Sequence, residues 1–301
     1  MRTCALVVGY GSIGQRHARI LKSLGCETII VSRRALKSGY KTLRQAFQTA
    51  KPDYVVITNE TSAHRRTLEE LATLRFKGPV LVEKPLFDRP VNGIRRPKNV
   101  FVGYNMRFYP LVARLRGLLK KEKAISARVY VGQYLPDWRP ERDYRKSYSS
   151  RRSAGGGVLR DLSHEIDYCG WIFGRCKRLA AVGGHYSHLK IDSDDAFSLL
   201  MATERCPAVS IQMNYLDRVL RREIAVVTDR RSYRADLVSG RLEIDGRAEF
   251  HAMDRDETFR AQHRAALKGR RETLCSFDEG AETLRVIQMA EKASKKGVWI
   301  R

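Results

Sequence analysis

The order of apolar and glycine residues at the amino terminus constrains this chain more than any other feature. "TCALVVGYGSIGQRHARILKSLGCETIIVSRR" opens on an apolar run, Ala5 to Val8, and passes through Gly9, Gly11 and Gly14 in the spacing GxGxxG. A helical pattern through Ala18, Leu21 and Leu24 follows, and then a second apolar run, Thr28 to Val31. Strand, glycine turn, helix and strand make a βαβ unit, and each glycine has a task. Gly9 allows the tight turn, Gly11 lets a pyrophosphate approach the backbone, and Gly14 brings helix and sheet together. The helix N-terminus, at Ser12 and Ile13, then faces the phosphates. The pattern predicts a dinucleotide site; the bland alternative is a glycine-rich turn on a scaffold that has lost its ligand. At the end of the second strand, where NAD sites place an acid against the ribose, stand Ser32, Arg33 and Arg34. Guanidinium groups grip a phosphate bidentately, so this substitution favours NADP(H) over NAD(H).

Three further apolar runs read as strands of the same sheet, "PDYVVITNETSAH", "GPVLVEKPLF" and "NVFVGYNMRFYP". Their C-terminal ends, where ligands bind on an open parallel sheet, deliver Thr58, Asn59 and His64, then Glu83 and Lys84, then Asn105 and Arg107. The first two groups are expected to complete the cofactor site, and Asn105 and Arg107 to reach the substrate. Lys84 precedes a proline suited to a cis bond, which aims its ammonium at a cofactor or substrate oxygen; elsewhere such a lysine would snorkel to solvent.

The 301 residues suffice for two domains. No apolar run is long enough to span a bilayer, the first residues read as a strand and not a signal peptide, and a cytoplasmic location is expected. The six cysteines are scattered without a CxxC pair, which predicts neither zinc nor disulfides. The formal charge of +24 creates a field that attracts anions. Its basic residues are dispersed, without a basic arm or an RNA-binding signature, so no specific nucleic-acid partner and no membrane partner is expected.

Taken in order, GxGxxG, "EKP", "GYNMRF" and "GGGVLRDLSHEID" resemble the Gfo/Idh/MocA family of oxidoreductases. The resemblance runs through nearly the whole chain. It implies an α/β chain: a Rossmann doubly wound parallel sheet over 1–108, then an α+β substrate-binding and oligomerisation domain over 109–301 with a large, mostly antiparallel open sheet. It also implies hydride transfer between a nicotinamide and a hydroxyl-bearing carbon of a sugar, and assembly as a homodimer or homotetramer. Lys84 falls on the family's active-site lysine and His164 on its HxxD histidine, with Asp167 three residues on. The family's preceding acid falls on Asp161, one residue closer to the histidine than usual. A second departure is "LFDRPVNGIRRPK", too short and too rich in proline and glycine for the helix expected after "EKP".

Read as one helix, "VLRDLSHEIDYCGWIF" has an apolar stripe at Leu159, Leu162, Ile166, Cys169 and Phe173, and gathers Asp161, His164, Tyr168 and Trp171 opposite. An ordinary wet helix face is the bland account. The three glycines ahead of it favour a cleft, because they give a ligand room beside the helix N-terminus. His164 is then the expected base for an alcohol proton, since imidazole titrates near neutrality. Lys84 would steady the alkoxide, and Asp161 would orient the imidazole or bind a second hydroxyl. Asp167 is expected at the helix surface or behind the site. Upstream, "YLPDWRPERDYRKSYSSRR" offers Trp138, Arg139 and Tyr144 to a substrate, or is a flexible basic connector. The combined motifs resemble a branch associated with surface-polysaccharide sugars, and an anionic or nucleotide sugar suits the charge.

Beyond residue 176, alternating runs predict an antiparallel sheet. "DETFRAQHRAALKG" and "DEGAETLRVIQMAEKASKKG" predict amphipathic helices. His185, His188, His251 and His263 lack ligand spacing and read as incidental. The rival to an enzyme is a sensor or regulator that keeps the dinucleotide fold; Lys84 and His164 favour the enzyme.

Overall fold

The structure, a computed structural model, describes residues 2–33, 38–91 and 93–301. The chain divides into two compact units: 1–108 with 254–281, and 109–253 with 282–301. The return of 254–281 to the first unit departs from the expected division, in which everything after 108 formed the second domain.

The first unit begins β1 (Cys4–Val8), α1 (Ser12–Ser23), β2 (Glu27–Val31), α2 (Leu43–Thr49), β3 (Tyr54–Ile57), α3 (His64–Thr73), β4 (Val80–Val82) and β5 (Val100–Val102). The five strands are parallel, and β3 and β4 have no exposed residue. Covered on both faces, such strands read as unbroken apolar runs, which is why they were legible. Helix α2 was not foreseen. It starts at a capping box in which Thr42 and Gln45 satisfy each other's backbone amides. Among the described residues no helix lies between β4 and β5, as the shortened "LFDRPVNGIRRPK" implied.

The second unit continues with α4 (Pro110–Leu119), β6 (Ala124–Gly132), α5 (Val158–Asp161), α6 (His164–Phe173), β7 (Cys176–Gly184), β8 (Ala196–Thr203), β9 (Ala208–Asn214), β10 (Arg221–Thr228), β11 (Ser232–Asp236), β12 (Arg241–Ile244) and β13 (Arg247–Phe250). These strands form one eight-stranded sheet in the order β13-β12-β11-β10-β6-β9-β8-β7, antiparallel except for β6 beside β9. Val129, Ile211, Leu199 and Ile224 lie on its buried face, each worth about 1.5–3 kcal/mol of burial. Val182, Leu200 and Val227 are exposed.

The chain then supplies α7 (Glu257–Leu267) and β14 (Cys275–Ser276) to the first unit, and ends in α8 (Phe277–Lys296). Antiparallel β14 extends the first sheet to the order β14-β5-β4-β3-β1-β2. The order reverses between β1 and β3, so a crevice opens at their C-terminal ends. Among the described residues no helix is long and apolar enough to cross a membrane.

Candidate functional site

The crevice of the first unit is built from the glycine turn. Gly9 has φ of +98°, and a Cβ there would lie 2.5 Å from the amide nitrogen of Asn59. A Cβ on Gly14 would lie 2.3 Å from the Gly9 carbonyl oxygen and 2.7 Å from Thr58 Oγ1, so only glycine lets α1 approach this closely. Gly11 differs: a Cβ there would meet nothing within 4 Å. It is the N-cap of α1, without a side-chain cap and without an acid in the first turn. The helix end is thereby left to an outside acceptor, and open space at Gly11 beside uncapped amides fits a dinucleotide's pyrophosphate. Ser12 is exposed and Ile13 half-buried at this end.

Several of the expected contacts are engaged otherwise. Thr58 is buried, and its hydroxyl donates to the carbonyls of Gly9 at 2.9 Å and Val8 at 3.1 Å, tying β3 to the glycine turn. Asn59 donates to Thr67 at 2.9 Å, while its own Oδ1 is buried without a hydrogen bond. His64, expected at the cofactor, is buried with its ring nitrogens against the carbonyls of Leu86 at 3.0 Å and Asn59 at 3.2 Å. Burial holds its pKa below the ordinary histidine value despite those carbonyls, and the one N–H of the neutral ring donates to one of the two. Asn105 and Arg107, expected at the substrate, are also buried. Asn105 Nδ2 donates to Thr258 at 2.7 Å, and the Arg107 guanidinium pairs with Glu279 at 2.9 Å. They pin the turn after β5 to the returning segment 254–281, a partner no local pattern could announce.

At the end of β2, Ser32 is buried and its amide donates to the Tyr40 carbonyl at 3.0 Å. Arg33 is largely exposed and pairs with Glu60 at 3.0 Å. A carboxylate therefore stands where the sequence suggested only guanidinium groups; Arg34 lies outside the described residues. At the end of β4, Glu83 accepts from His17 Nε2 at 2.8 Å and from the Lys84 amide at 3.1 Å. Burial pushes its carboxyl up, but the hydrogen bond from His17 and the charge and amide of Lys84 outweigh it and hold the pKa below the ordinary value. Lys84 is half-buried and the bond to Pro85 is cis.

In the second unit, the segment read as one helix is two. Leu162 and Ser163 interrupt it, so Asp161 ends α5 while His164 begins α6. Helix α6 has no wet face: Glu165, Ile166, Asp167, Tyr168, Cys169, Trp171, Ile172 and Phe173 are all buried, and His164 is half-buried. Asp167 is thus a core residue and not a surface one. Glu165 is satisfied by Arg222 of β10 at 2.8 Å, and Arg116 lies over the Trp171 ring at 4.1 Å. Asp161 is buried, and its two oxygens accept the hydroxyls of Tyr148 and Tyr215, the latter at 2.6 Å. Asp161 thus holds two tyrosines. Trp138 stacks edge-on against Tyr215 with ring centroids 5.2 Å apart, which brings it to this cluster. Arg139 is exposed, and the Tyr144 hydroxyl accepts from the Lys190 amide at 3.3 Å.

Of the three glycines before α5, Gly155 faces open space, while Gly156 and Gly157 are closed off by the protein. A Cβ on Gly156 would lie 2.2 Å from the Tyr148 carbonyl oxygen, and one on Gly157 2.3 Å from Asp194 Oδ1. Asp194 also takes the first amides of α5, Val158 on its carbonyl at 2.9 Å and Leu159 on its carboxylate at 2.9 Å. The protein caps its own helix.

Residues 114–234 match the sequence profile of the GFO/IDH/MocA C-terminal domain. No curated protein matches the sequence. Among solved structures, a levoglucosan dehydrogenase in complex with NADH superposes with a TM-score of 0.85 at 15% identity, covering 100% of this chain and 99% of the other. GenD2 from gentamicin A biosynthesis, in complex with NAD, gives 0.79 at 19% identity and covers 99% and 96%. The WlbA dehydrogenase from Bordetella pertussis, in complex with NADH and UDP-GlcNAcA, gives 0.81 at 16% identity and covers 99% and 97%.

Proposed function

We propose that the chain is a GFO/IDH/MocA oxidoreductase, a reading supported by the match of residues 114–234 to that family's C-terminal domain, and that it moves a hydride between a nicotinamide dinucleotide and a secondary alcohol or ketone of a sugar. The observation that carries this reading is the uncapped start of α1 with open space at Gly11, at the β1/β3 reversal of a parallel sheet. When bound, the cofactor supplies the hydride acceptor or donor. The protein must then bind the alcohol and manage its proton.

His164 is the base in this reading: its imidazole takes the hydroxyl proton during oxidation and returns it during reduction. Lys84 offers a fixed positive charge to the oxygen as it becomes an alkoxide. Glu83 holds the backbone of Lys84 through its amide. Asp161 acts by anchoring the buried Tyr215 and the exposed Tyr148, and Tyr148 with the nearby Trp138 ring suits a sugar. The substrate is an anionic sugar or nucleotide sugar, which the charge of +24 attracts; a place in surface-polysaccharide synthesis fits that substrate.

For the cofactor, the reading moves from NADP(H) to NAD(H). Glu60 neutralises Arg33, and a 2′-phosphate would have to displace that carboxylate. Structural neighbours that carry NAD or NADH support the same choice. A homodimer or homotetramer is proposed through the sheet face that exposes Val182 and Leu200, to be read by light scattering.

The deciding experiment identifies the nucleotide that purified protein retains, screens nucleotide sugars for turnover, and repeats both with His164→Ala. Turnover in the variant is expected to fall by at least about 1,000-fold, with cofactor affinity within about threefold. Full activity in that variant removes His164 as the base; a nucleotide whose redox state never responds to any sugar leaves a sensor.

A further inference from the structure

The dinucleotide-binding unit contains a run of buried polar groups that the proposed reaction does not itself consume. Tyr54 Oη lies 2.9 Å from His263 Nδ1, His263 Nε2 lies 2.8 Å from His17 Nδ1, and His17 Nε2 lies 2.8 Å from Glu83 Oε1. Glu83 Oε2 then accepts the Lys84 amide. Tyr54, His17 and His263 have no exposed surface, and Glu83 retains 9%. The four residues come from β3, α7, α1 and the end of β4. Phe259 closes the free side of the His17 ring, edge-on at 5.3 Å.

The contacts of the series limit where the protons sit. Glu83 is held ionised by its two donors, so His17 donates from Nε2. Burial holds His263 well below the ordinary histidine range, which keeps that ring neutral. A neutral imidazole has one N–H and one acceptor nitrogen. The contacts allow an order in which His17 Nδ1 accepts from His263 Nε2 and His263 Nδ1 accepts the hydroxyl of Tyr54, whose ionisation burial suppresses. In that order every donor points toward Glu83. Because Tyr54 is sealed from water, the series has no far exit and cannot conduct protons through the unit. It can only hold an orientation.

We propose that Tyr54, His263 and His17 are positioning residues that form a one-way hydrogen-bond relay, fixing the Glu83 carboxylate and through it the main chain of Lys84. This rests on the reading that Lys84 meets the substrate oxygen. The relay transmits a defect along its length. Without the Tyr54 hydroxyl, His263 is free to take the Nδ1–H tautomer, which turns its Nε2 into an acceptor facing another acceptor on His17. Glu83 then loses an oriented donor although nothing that touches it has been substituted.

The test has two arms on the full chain. Long-range proton–nitrogen correlation of the imidazoles, without cofactor at pH 7, is expected to show His17 and His263 as neutral Nε2–H tautomers, and to show His263 leaving that form in Tyr54→Phe. With NADH and a turned-over sugar, Tyr54→Phe and His263→Phe are expected to lower kcat about tenfold with the NADH dissociation constant within about twofold. His263→Gln, whose amide both donates and accepts, is expected to recover most of the loss. A His17 ring protonated on Nδ1, or a charged His263, overturns the relay whatever the activity. The expected tautomers with an unchanged kcat in Tyr54→Phe overturn the positioning role. Unimpaired turnover in Lys84→Ala instead sinks the underlying reading of Lys84, and the tautomer order then stands alone as structure.

Discussion

Two glycine clusters, one in each unit, look alike in sequence and do opposite things. In the first, Gly9 and Gly14 let protein meet protein, while Gly11 faces open space at an uncapped helix start. In the second, Gly156 and Gly157 let the Tyr148 carbonyl and the Asp194 carboxylate pack against the chain, and Asp194 takes the helix amides that a ligand would need. Glycine announces a close approach and says nothing of who approaches. An incoming anion and a carboxylate of the chain itself use the same amides, and a distant residue decides between them.

The comparison breaks first at Gly157. With φ at +117° and Asp194 Oδ1 within 2.3 Å of a built Cβ, Gly157→Ala is expected to cost about 3 kcal/mol in thermal or denaturant unfolding. Gly11→Ala is the counterpart. Unfolding should move by less than about 1 kcal/mol, while NADH affinity falls about 30-fold, measured by fluorescence titration. If Gly11→Ala unfolds the protein and leaves binding intact, the two clusters are alike after all.

The carboxylates beside the clusters sharpen the contrast through pH. Glu83 is held below its ordinary value of 4.5, so its stabilisation is present above that value and lost as pH falls through the lower, folded-state pKa. Asp194 is held above its ordinary value of 3.8, chiefly by burial and against the Leu159 amide, so its contribution is present below 3.8 and lost as pH rises through the raised value. Glu83→Gln should therefore cost about 1–2 kcal/mol at pH 7 and flatten the acid limb of the stability curve. Asp194→Asn should stay within about 1 kcal/mol of the parent at pH 7 and remove the decline above its ordinary value. The smallest effect belongs to the exposed Arg33–Glu60 pair. Glu60→Gln should change stability by less than about 0.5 kcal/mol and shift the NADPH to NADH affinity ratio by about threefold toward NADPH.

What the sequence made legible was periodic. Buried runs such as Tyr54 to Ile57, the alternation along β8 and β9, and the helical pattern of α7 are local, and each carries its own evidence. What it hid was partnership. His263 showed no ligand spacing, yet its partners are His17 and Tyr54, 246 and 209 positions away. Asn105 and Arg107 ended a strand as ligand-binding residues do, and the structure spends them on Thr258 and Glu279. The uninterrupted helical spacing from Leu159 to Phe173 concealed the break at Leu162 and Ser163, because two short helices in sequence keep nearly the same period as one. One signal was available for His263: it sits on the face of "ETFRAQHRAAL" that also carries Ala266, and a histidine there must find a partner in the core.

The return of 254–281 to the first unit has a consequence for how the protein is made. A ribosome delivers the glycine turn early, but α7 and the edge strand β14 emerge only after the whole eight-stranded sheet has been synthesised. Until then His17 lacks its histidine neighbour and β5 has an unpaired edge. The first unit is thus first to begin folding and among the last to finish, and a fragment ending at residue 108 would be a permanent version of that unfinished state.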